Sequence, residues 1–590
     1  MKPRSALPVV AYFSMEIALD PRMPTYSGGL GVLAGDTLRS AADLGVPIIG
    51  VTLLHRKGYF TQSLDASGNQ YEQPQHWTPE SMLREMDARA TVQIEGRNVH
   101  VRAWRYTVQG TSGDTVTVYL LDTDLPENAP QDRGLTDSLY GGDHHYRLAQ
   151  EIVLGLGGLE MLRKLGHTDI EAFHMNEGHS ALLALGLLER RLAQSFAGRI
   201  KQLDIDSVRR LCIFTTHTPV PAGHDQFPRS LVEHVLGEDR SALLEESSSW
   251  HGDMLNMTYL ALRFSGYVNG VAMRHGEVSR GMFPKYSINA ITNGVHAVTW
   301  TAEPFRQLFD RSLPGWRQDN NYLRYAISIP LEQVRQAHVD AKQRLIQEVQ
   351  AATGVALDPN VFTIGFGRRA STYKRADLLF RDPARLKSIA ENVAPVQIVY
   401  AGKAHPRDEG GKAIIRSVFG GAASVAGAIR SVYVQNYDLR WGGLLTSGVD
   451  LWLNTPMRPQ EASGTSGMKA AMNGVPSFSV LDGWWVEGHI EGITGWSIGD
   501  EDAPTQNDDR QEVAILYDKL EREIVPMFYG KPQRYTEIMR SAIAMNGSFF
   551  NTQRMVRQYI SNAYQNRELP AYPVQSEAPP VTEAAPVQRK

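Results

Sequence analysis

One lysine, Lys469, stands within the first turns of a helix-forming run introduced by small hydroxyl and glycine residues: Glu461-Ala-Ser-Gly-Thr-Ser-Gly-Met-Lys469-Ala-Ala-Met-Asn-Gly474. Backbone N–H groups unpaired at such a start can hold a phosphate, and Thr465 and Ser466 add hydroxyl donors. Helix-end potential and nearby cations would lower the lysine pKa, giving a neutral amine able to attack an aldehyde. A lysine beside a phosphate cradle suits a pyridoxal phosphate imine. On composition alone, a capped helix with a solvated lysine stays open as the alternative. The spacing is not that of a P-loop, because no Gly-Lys-Ser/Thr follows.

A second constellation is Gly367-Arg368-Arg369-Ala-Ser-Thr-Tyr373-Lys374-Arg375, with four cations in eight residues just past an expected buried strand. Ligands of open α/β sheets bind at such strand ends. Arg369 and Lys374, across a strand-to-helix turn, could converge on one oxyanion. A solvated basic helix start is the alternative, weakened because cations there oppose the helix dipole. The cluster Gly28-Gly29-Leu30-Gly31 offers a tight turn with N–H groups open to an anion. Its match to a dinucleotide fingerprint is weak, since no strand precedes it and no acidic residue follows about 20 positions on. Among the histidines, His217 ends an expected strand, His174 and His179 bracket Met-Asn176-Glu177-Gly, and His144 adjoins His145. None fits a metalloprotease pattern, and no metal site is expected. The Trp484-Trp485 pair could stack on a sugar, though packing in the core is its default reading.

These residues need a frame. Apolar runs at Val9–Phe13, Ile48–Leu54, Thr115–Leu121 and Leu211–Thr216 read as strands, and Tyr146–Lys164 reads as a helix. Beyond Pro330 the run Leu331–Ala351 is an amphipathic helix. Strand-like runs follow at Val361–Phe366, Pro395–Ala401, Ser431–Val434, Val449–Leu453 and Pro476–Leu481. Strand–helix alternation predicts an α/β fold with parallel sheets covered on both faces. The expected units are residues 1–300, residues 301–569, and a Pro-rich disordered tail over 570–590.

Composition bounds the partners. Sixty Lys and Arg against 64 Asp and Glu give a net charge of -4, so no global basic surface predicts nucleic-acid or anionic-membrane binding. A single cysteine, Cys212, excludes an internal disulfide framework and suits a reducing, cytoplasmic setting. No apolar run reaches membrane-spanning length. The apolar stretch Ala6–Leu19 is interrupted by Ser14 and Glu16 and reads as a buried strand, not a signal peptide.

The lysine segment closely resembles the cofactor-lysine motif of the α-glucan (glycogen/maltodextrin) phosphorylases, especially the shorter bacterial and archaeal ones. Tyr12-Phe-Ser-Met-Glu16, Gly28 to Gly31, Asn176 to His179, Thr216-His217-Thr218, Thr292-Asn293-Gly294, Arg368 to Arg375 and Gly402-Lys403-Ala404 appear in that family's order. Together they are specific enough to displace the single-motif alternatives. The resemblance implies two Rossmann-like lobes of glycosyltransferase-B type with the site in the cleft between them. It implies reversible phosphorolysis of the non-reducing terminal glucose of an α-1,4-glucan by orthophosphate, giving α-glucose 1-phosphate with retention. Pyridoxal 5′-phosphate is the implied cofactor, acting through its phosphate.

Carried over by position, the resemblance implies that Lys469 holds the cofactor. Arg368, Thr465 and Ser466 would bind its phosphate, with Trp300 and Tyr437 near its ring. Arg369, Lys374 and the amide of Gly29 would hold the substrate phosphate. Glu461, Ser463, Gly464, Asn293 and the backbone of His217 would hold the glucose, with Asp143, Glu177 and His179 towards the glucan entrance. A homo-oligomer is compatible with this reading. Asp438 stands where many members carry Arg, with Arg440 a candidate replacement. The chain begins near its first core strand, so phosphorylation and nucleotide control through an N-terminal extension are not expected. Rival readings are a nucleotide-sugar-dependent glucan synthase, a pyridoxal enzyme of amino acids, and a non-catalytic glycan-binding protein. A glycoside hydrolase would need two placed carboxylates, for which no strong pair is evident.

Overall fold

The computed structural model describes residues 7–194, 199–220, 223–499, 509–566 and 569; the Pro-rich end expected to be disordered lies outside them. In chain order the first half gives β1 (Val10–Ser14), β2 (Ile48–Leu53), β3 (Thr61–Leu64), β4 (Gln70–Gln73), β5 (Arg84–Ile94), β6 (Arg97–Gln109) and β7 (Thr115–Asp122). There follow β8 (Ala172–Asn176), β9 (Cys212–Thr215), β10 (Gln226–Pro228), β11 (Met254–Asn256), β12 (Tyr267–Gly270) and β13 (Asn289–Ala290). Nine of these form one sheet in the order β13-β12-β9-β8-β1-β2-β7-β6-β5. Pairing is parallel from β13 to β7, and β6 and β5 add an antiparallel edge. Helices on both faces explain why every residue of β1 and β2 is buried. The rim strand β5 instead alternates buried and exposed positions towards its end.

The second half gives β14 (Phe362–Gly367), β15 (Val396–Ala401), β16 (Arg430–Val434), β17 (Leu451–Asn454), β18 (Ser477–Val480) and β19 (Gly495–Ile498). They form a wholly parallel sheet in the order β16-β15-β14-β17-β18-β19. The chain starts at β14, runs outward to β16, and returns to the other side of β14 at β17. Strand order therefore reverses between β14 and β17, which opens a crevice at their C-terminal ends. The α/β class with parallel sheets and covering helices is thus as expected. β3 and β4 stand apart as an antiparallel hairpin. Near the end, the helix Thr552–Tyr559 packs on the first sheet. Thr552 meets the Ser40 hydroxyl at 2.6 Å, and Asn269 Nδ2 donates to the Tyr559 hydroxyl at 3.0 Å. No helix among the described residues is long and apolar enough to cross a membrane.

Candidate functional site

The strand ends at the reversal deliver the two motifs to one place. After β14 the chain presents Arg368 and Lys374; after β17 it presents Glu461. The Glu461 carboxylate accepts from Arg368 Nη2 at 2.6 Å and from Lys374 Nζ, and all three side chains are buried. Burial alone would push the carboxyl up, but the two cations hold it down at about 2. Arg369, on the same turn, lies beside Tyr59 and Tyr373. Arg368 and Lys374 thus converge on Glu461. Behind the fork, the Asp482 carboxylate accepts from the Glu461 amide at 2.8 Å, and burial pushes its own pKa up to about 7. Gly464 has φ +82, a left-handed turn that brings the chain over Glu461 and Arg368.

Lys469 lies on the short helix Ser466–Met472 and is buried. Its Nζ sits 3.7 Å from the Trp300 ring centroid. Burial pushes its pKa down to about 8, with Asp36 pulling the other way. The Trp300 Nε1 donates to Asp36 at 2.6 Å, and Asn473 Nδ2 donates to the Trp300 carbonyl at 2.8 Å. The lysine segment and the Trp300 turn are therefore tied from both sides. Tyr437 packs against Gly367 and Gly442, and Gly442 also faces Trp300. The Ser466 hydroxyl lies 3.1 Å from Trp452 Nε1, and Thr465 precedes the helix without a capping side-chain bond. Among the described residues, the buried Arg368 Nη1, Ser371 Oγ and Ser463 Oγ have no hydrogen-bond partner.

The glycine cluster opens the helix Gly29–Asp43. Among the described residues, nothing lies within 4 Å of a Cβ added at Gly28 or Gly29. Glu16, just past β1, accepts from the amides of Ser27 at 2.5 Å and Gly28 at 3.2 Å, and from the Tyr140 hydroxyl at 3.0 Å. An internal carboxylate thus fixes the loop one residue before Gly29. Tyr140 also lines a recess of about 300 Å³ with Tyr59, Glu72, His405 and Arg407, drawn from both halves of the chain.

The remaining predicted residues surround the first sheet's strand ends. His217 Nε2 contacts Asn176 Oδ1 at 2.7 Å, and the His217 amide donates to Glu177 Oε2 at 2.7 Å. Burial pushes the His217 ring down to about 3, so it is neutral. Glu177, at φ +76, also accepts from Gly178 N and Thr218 Oγ1 and so shapes this turn. His179 pairs with Asp225 at 3.2 Å. The Asn293 carbonyl accepts from Arg554 at 2.8 Å, while its buried Oδ1 has no partner among the described residues. Asp143 is exposed and caps the helix His144–Ile152 through the Tyr146 amide. Arg440 does not replace the missing cation: it pairs with Glu348 on the surface. The sequence reading assigned no role to Asp36, Asn473, Glu16 or Tyr140. An acidic residue within the mostly apolar run Gly29–Leu38 was the available signal for Asp36.

A family model described as carbohydrate phosphorylase matches residues 19–131 and 238–491. A maltodextrin phosphorylase of Thermococcus litoralis is 40% identical, over 94% of this chain and 70% of its own length. A glycogen phosphorylase of Mycobacterium tuberculosis is 39% identical over 95% of this chain and 71% of its own. A glycogen phosphorylase of Aquifex aeolicus is 35% identical over 94% and 86%.

Proposed function

Because the chain belongs to the carbohydrate phosphorylase family, we propose that its reaction runs where the ends of β14 and β17 meet the loops of the first sheet. The protein is an α-glucan phosphorylase, which uses orthophosphate to release glucose 1-phosphate from a glucan, reversibly. On this reading the unit removed is the non-reducing terminal α-1,4-linked glucose, and the α-configuration is retained. The two sheets are then the lobes of a glycosyltransferase-B arrangement, divided near residue 300, with the site in the cleft between them.

Pyridoxal 5′-phosphate fits the residues present. Lys469 offers a buried amine of lowered pKa against a flat indole, and Arg368 Nη1 is a buried donor with no partner among the described residues. Lys469 would hold the cofactor covalently; Arg368, Thr465 and Ser466 would hold its phosphate, with Trp300 and Tyr437 beside its ring. When bound, it supplies a phosphate that serves as the acid–base group next to the substrate phosphate.

The chain's own residues do the rest. Arg369, Lys374 and the Gly29 amide bind orthophosphate. Charges 4 Å apart at an effective dielectric near 20 interact by about 4 kcal/mol, so neighbouring phosphates need these cations together with Arg368. Glu461, Ser463, Gly464 and Asn293 hold the transferred glucose. His217 contributes its carbonyl, since its amide already donates to Glu177. Sugar hydroxyls donating to Glu461 would weaken its hold on Lys374 and free that ammonium for orthophosphate. Asp143, Glu177 and His179 lie towards the incoming glucan. Closure of the lobes over the site keeps water from competing with phosphate.

The observation that carries this reading is Lys469, buried on the Trp300 face. Holoenzyme given maltodextrin should release glucose 1-phosphate only when orthophosphate is added. Borohydride reduction and peptide mapping should place a pyridoxyl group on Lys469. Phosphate-independent release, or an unmodified Lys469, would overturn it.

A further inference from the structure

The hairpin of β3 and β4 belongs to the first half of the chain, yet its polar side chains are spent on the second. Gln62 and Gln70 are both buried. The Gln70 amide group reads both main-chain atoms of Ala404: its Oε1 accepts from Ala404 N and its Nε2 donates to Ala404 O, each at 2.9 Å. Gln62 Nε2 donates to the Gly402 carbonyl at 2.9 Å and to Gln70 Oε1 at 2.8 Å. Gln62 also exchanges a reciprocal pair with Asn436, its amide donating to Oδ1 at 3.2 Å and its Oε1 accepting from the Asn436 amide at 2.9 Å. Lys403 Nζ returns a bond to the Phe60 carbonyl at 2.9 Å, and Lys412 pairs with Glu72 at 3.1 Å. At the tip, Gly68 lies against the Phe419 ring.

What the hairpin grips is not a remote surface. Gly402–Ala404 is the backing of the cationic segment after β14. The Arg368 amide donates to the Ala401 carbonyl at 3.1 Å and the Ala370 amide to the Lys403 carbonyl at 2.8 Å, and Ala370 pairs with Ala404 in a parallel bridge. An added Cβ at Gly402 would collide with the Arg368 carbonyl oxygen, so the two segments leave no slack between them. The other gripped residue, Asn436, sits at φ +54 immediately before Tyr437. A two-stranded hairpin has little stability by itself, so its order and that of its target depend on each other. Buried amide groups left unpaired are costly, which makes this docking register-specific.

We propose that the Thr61–Gln73 hairpin is an interlobe clasp that sets the position of Arg368 and Arg369, with Gln62 and Gln70 as its positioning residues. Neither glutamine touches substrate on this reading; each acts through the main chain of Gly402–Ala404. The proposal rests on the assignment of Arg368 and Arg369 to the two phosphates made above. It implies that the first half of the chain controls phosphate affinity through the second half's backbone.

The test uses full-length holoenzyme and compares Gln70→Ala, Gln62→Ala and Arg369→Ala. Gln70→Ala should raise KM for orthophosphate about tenfold, equivalent to about 1.4 kcal/mol, while KM for maltodextrin moves less than about twofold. Hydrogen exchange of the 402–404 amides should rise in the same variant. Gln70→Asn keeps both a donor and an acceptor on a shorter arm and should give a smaller rise, which keeps the test open if the alanine variant folds poorly. A uniform fall in kcat with both KM values unchanged, or no change at all, would overturn the clasp. Arg369→Ala separates the two ideas. If it leaves phosphate KM unaltered, the phosphate-site assignment fails; if it raises KM while the glutamine variants do not, the clasp alone fails.

Discussion

The Lys469 Nζ lies 3.7 Å from the centroid of the Trp300 ring, and the same indole donates to Asp36. This relationship joins the glycine-loop helix of the first half to the lysine helix of the second through one aromatic side chain. It also puts the amine where water cannot solvate its charge, which is why burial pushes it down to about 8.

Aldehyde capture by apoprotein should follow that value. The rate of borohydride-trappable attachment of pyridoxal phosphate to Lys469 should climb as pH rises through about 8 and level above it. A midpoint near the ordinary lysine value of 10.5 would contradict the burial argument. The linkage has a definite sign. Between the folded value of about 8 and the ordinary 10.5, the unfolded chain keeps a proton that the folded chain lacks. The group's contribution to apoprotein stability therefore improves with rising pH across that window. Melting temperatures of wild type and Lys469→Met should converge there.

Glu461 behaves in the opposite way. Its carboxyl is held at about 2 against an ordinary 4.5, so its stabilisation is complete above pH 4.5 and is lost as pH falls through 2. Glu461→Gln should destabilise apoprotein at neutral pH by on the order of 3 kcal/mol, since Arg368 and Lys374 then face each other unneutralised. Added orthophosphate should recover more of the melting temperature in Glu461→Gln than in wild type. Equal phosphate responses would show that the fork is not an anion site.

Asp438 earns its place structurally. Its Oδ1 accepts from the Trp441 amide at 2.9 Å and caps the helix Leu439–Gly448. Asp438→Ala should lower stability by about 1 kcal/mol, and Asp438→Asn should recover most of it. Urea unfolding of the two variants checks this; an unchanged midpoint in Asp438→Ala would deny the cap a role.

The strands that position the site were legible because parallel strands buried on both faces read as apolar runs. β14 and β15 fall within a residue of the runs expected there, and the reversal between β14 and β17 places both motifs as strand ends should. β5 was not legible: its Arg84–Ala90 half is charged and mostly exposed, so it carries little apolar signal. The hairpin β3–β4 was hidden for a related reason, since its glutamines are buried by pairing with backbone 334 to 374 positions away, which no local pattern reports. Among site residues, types and spacing marked Lys469 and the cations after β14. How those cations are partnered depended on the turn itself: Lys374 folds back to Arg368 and Glu461, and Arg369 lies beside Tyr59 and Tyr373.

Asp36 offers a sharper test of the lysine environment than removal of the lysine. It is buried on the helix Gly29–Asp43, accepts from Trp300 Nε1 at 2.6 Å and the His296 amide at 3.1 Å, and raises the Lys469 pKa against the larger effect of burial. Asp36→Asn keeps the shape and leaves an amide oxygen for the indole, but removes the negative charge. The pH midpoint for trapping pyridoxal phosphate on Lys469 should therefore move below about 8, with tryptophan fluorescence nearly unchanged. Asp36→Ala removes charge and acceptor together, so the midpoint should fall and the Trp300 emission should also shift as the indole loses its partner. If Asp36→Asn left the midpoint where wild type has it, the charge of Asp36 would not reach Lys469, and the link from the glycine-loop helix to the amine would be packing alone.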